Sequence, residues 1–213
     1  LRITHAQRNT LPTGSGECRH KDSLCLACRM FGALGYEGNV RFGDAVLREG
    51  QKTAVVRMPA LYAPRSDEPA YYEGGQVTGR KFYRHGKTVT DGVTPVEICR
   101  PDAQLDFVLT FDNLSEAEVG VLLTGLGLGK PRLVLKVGAG KPACYGSVLV
   151  ESKSLQVWSG PQALYTDYDV AREVVDPAAY VAAAAELIDR DRLREVARIL
   201  KFDAERECPS GNY

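Results

Sequence analysis

The sequence predicts an α+β fold: strands and loops first, one buried helix in the middle, helices at the end. Three observations carry that expectation. Leu105, Phe107, Leu109 and Phe111 alternate with Asp106, Val108, Thr110 and Asp112, the period of a half-buried strand. Ser115 and Glu118 form a capping-box signature just before an almost wholly apolar stretch, Ala117 to about Leu126. Leu193, Val196, Ala197 and Leu200 recur at helical spacing near the end of the chain.

Taken in order, residues 1–9 read as the end of a helix that enters a cysteine-rich loop. The segment Gly38–Leu47 reads as a strand, with Val40, Phe42 and Val46 apolar at even spacing. Residues 57–95 are rich in proline, tyrosine and glycine and read as a long irregular insertion, a kind of segment that commonly carries function. The alternating strand at 105–112 leads into the capped helix, which Gly125, Gly127 and Gly129 end. Leu133, Leu135 and Val137 predict a further strand, the loop GAGKPACYG (138–146) follows, and 146–157 holds one more strand. Asp176 and Pro177 are a good N-cap and first helical residue, and Arg190, Arg194 and Arg198 lie on the outer face of the last helix. Strand, helix, strand, strand with short links is one half of a split β-α-β, or ferredoxin-like, fold. For the other half the sequence offers a helix tail and a strand but no opening strand. The expected organisation is a core at 1–157, with a cysteine loop at 18–28 and an insertion at about 57–95, and a helical extension at 158–213 packed on the same domain.

Composition narrows the classes. The chain has 213 residues, 44% hydrophobic and 25% charged, ordinary values for a globular protein. No apolar run is long enough to span a bilayer, and no basic-then-apolar leader opens the sequence, so a cytoplasmic protein without a membrane partner is expected. The net charge of zero hides a gradient: residues 1–57 carry nine basic and five acidic side chains, residues 158–213 seven and eleven. Val119–Val150 holds Lys130, Arg132, Lys136 and Lys141 and no carboxylate. The run GRKFYRHGK (79–87) holds Arg80, Lys81, Arg84 and Lys87 with His85 and two aromatics. Such local patches suit a polyanion even on a neutral protein.

Cys18, His20, Cys25 and Cys28 fall within eleven residues, four soft or borderline ligands that include a Cys-x-x-Cys pair. This spacing predicts a closed structural zinc site; a redox pair would not need Cys18 and His20, and a disulfide cluster fits less well without a leader. Cys99, Cys144 and Cys208 are expected to be buried small hydrophobes. The glycine loops GLGLGK (125–130) and GAGK (138–141) are not phosphate loops. The required earlier glycine is absent, and Pro131 and Pro142 stand where Ser or Thr is needed.

Several stretches resemble one family. CLACRMFGALGYEGNVRFGDA (25–45) resembles the zinc-loop-to-strand segment of the RAMP proteins that form the backbone of type III CRISPR effector complexes. TGRKFYRHG (78–86) resembles a motif of one RAMP branch. FDNLSEAEVGVLLTGLGL (111–128) and KVGAGKPACYGSV (136–148) resemble the helix and glycine-rich loop that close the RAMP fold, although Ala143-Cys144-Tyr145 stands where glycine is common. The resemblance implies a modified RNA-recognition, ferredoxin-like core whose zinc loop, Cys18, His20, Cys25 and Cys28, is structural. It implies subunits stacked along a guide RNA (crRNA), an inserted hairpin wedged into the guide–target duplex, and contacts to target RNA and other effector subunits or domains. Family cleavage depends on an acidic residue in a loop ahead of the zinc region, which lies before Leu1 here. The expected RNA contacts are Arg80, Lys81, Arg84, Lys136 and Lys141 to phosphates, with Phe82 or Tyr83 stacking on a base. Two alternatives remain: an endoribonuclease with His85 as general acid or base, and a zinc-stapled module that only packs against partner subunits.

Overall fold

A computed structural model describes residues 16–18, 20–61, 69–77, 81–158, 165–166 and 172–209. The expected helix end at 1–9 and the proposed contact Arg80 lie outside them. The architecture is α+β, with small antiparallel sheets and short helices.

After the cysteine loop comes a short helix, α1 (Leu26–Phe31). Three strands then run outward: β1 (Val40–Phe42), β2 (Val46–Leu47) and β3 (Thr53–Met58). A small hairpin, β4 (Tyr72–Glu73) and β5 (Gln76–Val77), sits in the insertion. Its two-residue turn is Gly74-Gly75, with φ of 57° and 78°, the primed turn that matches strand twist and favours glycine. Three strands return: β6 (Thr94–Cys99), β7 (Leu105–Asp106) and β8 (Leu109–Phe111). They pair antiparallel as β3 with β6, β2 with β7 and β1 with β8.

These three pairings form one long ribbon. Met58 opposite Thr94 and Leu47 opposite Leu105 belong to the same register, which continues across the interruption between β2 and β3. Below it, Phe42 opposite Leu109 is shifted by one residue. Asp44 and Ala45 therefore face the single residue Phe107, a bulge on the outgoing strand. The sequence suggests one strand here and not β3 or β6; in β3, exposed Val55 (72%) breaks the apolar alternation of Ala54, Val56 and Met58. Inside, Met58 packs with Ala143 and Tyr145, and Val56, Val96 and Ile98 lie against them.

The middle helix, α2 (Glu116–Gly125), starts as its sequence predicts. The Ser115 N–H donates to Glu118 Oε2 (2.8 Å), and the Glu118 N–H donates to Ser115 Oγ (3.4 Å). Glu118 is also ion-paired with Arg29 of α1, so the cysteine loop is anchored to the helix start. Val119 and Leu123 pack with Leu155, flanked by Phe111, Leu114, Val175, Tyr180 and Val181.

The remaining elements are β9 (Leu135–Lys136), β10 (Ser147–Val148), β11 (Leu155–Trp158), β12 (Arg172–Val175), α3 (Pro177–Ala183) and α4 (Arg190–Ile199). Where the sequence suggested one strand over 146–157 there are two. β12 is a strand inside the expected helical extension, paired along its length with β11. Asp176 caps α3, its carboxylate accepting from the Ala178 N–H at 2.9 Å. α3 packs against α2 so closely that a Cβ at Gly120 would lie 1.9 Å from the Tyr180 carbonyl oxygen. The cysteine expectation is corrected: Cys99 is exposed rather than buried, and Cys144 and Cys208 are joined in a disulfide, with Cα atoms 5.9 Å apart. Their separation of 64 residues hid the pairing.

Candidate metal centre and basic surface

The Cys18, Cys25 and Cys28 sulfurs lie within 4.8 Å of one another. Three thiolates on a tetrahedral zinc, each at about 2.3 Å, would sit roughly 3.8 Å apart, so the cluster fits such an ion. Backbone donors support it. The Cys18 N–H donates to Cys28 Sγ (3.3 Å) and the Cys25 N–H to Cys18 Sγ (3.1 Å). Such bonds favour the thiolate form that a metal requires. The Cys25 thiol is held below its ordinary value, chiefly by the Cys28 backbone N–H and then by the Cys18 and Cys28 side chains. For Cys28 the Cys18 N–H is the largest single influence and lowers it, but burial and the neighbouring thiols outweigh it and push the group up. Helix α1 sets the Cys25–Cys28 spacing, since Cys25 is its N-cap and Cys28 lies in its first turn.

His20 does not join the cluster. It is exposed, precedes a short 3₁₀ turn (Lys21–Ser23), and lies outside the group of ligand atoms. The expectation of a closed four-ligand site is therefore corrected to three protein sulfurs. The His-to-Cys spacing is compatible with ligation, but the ligand atoms that converge are those of Cys18, Cys25 and Cys28.

His85 is fully buried. Its Nε2 meets the Val134 carbonyl at 3.1 Å and its Nδ1 meets Ser147 Oγ at 2.8 Å. A carbonyl only accepts, so Nε2 carries the proton and Nδ1 accepts from the serine hydroxyl. Burial, and more weakly Lys136 and Arg206, hold the ring below its ordinary 6.5. This is a structural histidine, neither the surface group nor the acid–base catalyst the sequence allowed. The sign of the pH effect follows. The unfolded chain takes up a proton near 6.5 that the folded chain resists, so this stabilisation is complete above that pH and lost as pH falls. Melting temperature is expected to drop between pH 7 and 5 less steeply in His85→Gln than in the parent; parallel curves would remove His85 as the cause.

Lys136 is also turned inward. Its Nζ donates to the carbonyls of Cys144 (2.9 Å) and Tyr145 (2.8 Å) and to Ser147 Oγ (3.2 Å). Burial pushes it down to about 8. The expected phosphate contact at Lys136 is thus corrected: its ammonium braces the glycine-rich loop.

Three of the other predicted contacts, Lys81, Tyr83 and Lys141, come together. Lys81 Nζ lies 5.2 Å from the centre of the Tyr83 ring and 5.8 Å from that of Tyr71, and donates to the Tyr71 hydroxyl at 3.4 Å. Lys141 Nζ, from the loop sixty residues on, lies 5.9 Å from the same Tyr83 ring. Burial acts most strongly on Lys81 and lowers it, but Tyr71 and Tyr83 together outweigh it and leave the ammonium above its ordinary value. Arg84 is exposed, and Phe82 is 40% exposed. Among the described residues, no carboxylate pairs with Lys81, Arg84 or Lys141. Tyr71 was not singled out in the sequence; it reaches the cluster only through the fold of the insertion.

No helix among the described residues is long and apolar enough to cross a membrane. No family model matches this chain and no curated protein matches it, so its function must be read from its own residues.

Proposed function

We propose that this chain binds RNA, as a guide-RNA-holding backbone subunit or domain of a type III CRISPR effector. The observation that carries this reading is the cluster of Lys81 and Lys141 around Tyr71 and Tyr83, with exposed Arg84 next to Tyr83 in the chain. Cations with no carboxylate partner among the described residues, next to half-exposed rings, suit a single strand, whose phosphates take the charges and whose bases stack. The motif resemblance over residues 18–150 agrees with it. So does the order β8, α2, β9, β10, which is compatible with a ferredoxin-like core. The thiol cluster takes a structural zinc in this reading, held by Cys18, Cys25 and Cys28, and it fixes the loop through Arg29 and Glu118.

The test is a salt series on labelled single-stranded RNA. Lys81→Ala with Lys141→Ala is expected to weaken binding on the order of tenfold and to reduce the slope of log K against log salt by about 1.4. An unchanged slope with unchanged affinity would sink the assignment. The alternative of a zinc-stapled packing module rests on the thiol cluster and its Arg29–Glu118 anchor, and it expects no RNA binding at any salt. The endoribonuclease alternative draws nothing from His85, which is buried and engaged on both nitrogens.

A further inference from the structure

The segment that follows α4 carries Asp203, Glu205 and Glu207, and it lies against the basic run rather than in solution. The Lys87 N–H donates to the Arg206 carbonyl at 2.9 Å. Lys87 Nζ is 3.1 Å from Glu207 and 3.8 Å from Glu205. Phe202 packs edge-on against His85, with ring centres 5.5 Å apart. A Cβ at Gly86 would meet the Arg206 carbonyl oxygen at 2.7 Å, so the two backbones are in direct contact. Cys208 then closes the segment onto Cys144, three residues from Lys141.

We infer that residues 202–208 form a thiol-releasable latch: an acidic strap over the basic run, locked by the Cys144–Cys208 disulfide and opened by a dithiol reductant. The inference rests on the RNA-binding reading for its consequence but not for its mechanics. Among the described residues, the strap is held, apart from the disulfide, by one backbone hydrogen bond to the basic run, exposed ion pairs of small worth and one half-exposed phenylalanine. Cys144 is buried and Cys208 half-buried, so Cys208 Sγ is the sulfur open to attack. One thiolate of the dithiol bonds to Cys208 Sγ and expels the Cys144 thiolate. The second thiol closes on the first, breaks the mixed disulfide and frees Cys208. Two electrons pass from the dithiol, which ends as its cyclic disulfide, and its two protons end on Cys144 and Cys208. Release takes Glu205 and Glu207 away from Lys87, while the loop that carries Lys141 stays braced by Lys136.

The test uses the full chain in both redox states. Hydrogen exchange reads the latch directly: protection of the Lys87 amide is expected to fall about tenfold on reduction. Binding of a labelled oligouridine reads the consequence: affinity is expected to rise about fivefold on reduction and equally in Cys208→Ser. That variant should no longer respond to the dithiol, which separates the disulfide from the Cys18, Cys25 and Cys28 thiols. In the oxidised chain, Glu205→Gln with Glu207→Gln should recover part of the gain. Equal Lys87 protection in the two states overturns the latch, as does equal affinity when both states bind RNA. If neither state binds RNA while reduction still frees the Lys87 amide, the RNA reading falls and the latch stands.

Discussion

Replacing Cys28 with Ser is expected to remove zinc from the purified chain and to lower its melting temperature by about 10 °C, the shift that a loss of roughly 3 to 4 kcal/mol gives in a chain of this size. Cys28 is the buried member of the thiol cluster and sits in α1, whose Arg29 holds Glu118 at the start of α2. Loss of the ion therefore reaches the middle helix and not only the loop. Metal content by mass spectrometry and a thermal melt check both halves. His20→Ala is the companion variant: with three sulfurs forming the cluster, it should keep a stoichiometric metal. A Cys28→Ser chain that retains one zinc would refute the site, and loss of zinc from His20→Ala would return His20 to the ligand set.

Gly120→Ala should destabilise the chain by about 2 to 4 kcal/mol, against the usual preference of about 1 kcal/mol for alanine inside a helix. The added methyl has no room, because α3 presents the Tyr180 backbone carbonyl where it would lie. Backbone of a packed helix cannot swing aside as a flexible side chain does. Gly125 in the same helix is the control, since nothing lies within 4 Å of a Cβ built there. Gly125→Ala should raise the melting temperature slightly while Gly120→Ala lowers it. The same sign for both in denaturant melts would mean that α2 and α3 are not in this contact.

Local signals were the legible ones. The capping box at Ser115 and Glu118, the Asp176 cap and the amphipathic run of α4 are each written within a few residues, and the structure forms each of them. All three members of the cysteine cluster were legible for the same reason, while the fourth predicted ligand, His20, lies outside it. Long-range pairings were not. The Cys144–Cys208 disulfide, the β3–β6 pairing and the β11–β12 hairpin join segments whose sequences do not mark their partners. Exposed Val55 and the short lengths of most strands blurred the period that would have revealed them. Lys136 shows a second limit. A lysine in an acid-free stretch reads as a free cation, and only the fold turns three oxygen acceptors towards it, two from the loop at 138–146 and one from Ser147 of β10.

The ribbon of β1 to β3 on β6 to β8 bears on how such a chain changes over generations. Its tip encloses the 35 residues between Met58 and Thr94, and its base is fixed by a register that does not depend on them. Doubling the length of such a loop costs only about 0.6 kcal/mol in closure entropy. The part of the tip ahead of buried His85 is thus open to exchange or lengthening while the base keeps its pairing. Because the Lys81 and Tyr83 half of the basic cluster hangs from that tip and the Lys141 half from the core, drift in the insertion can retune what the surface grips without refolding what holds it.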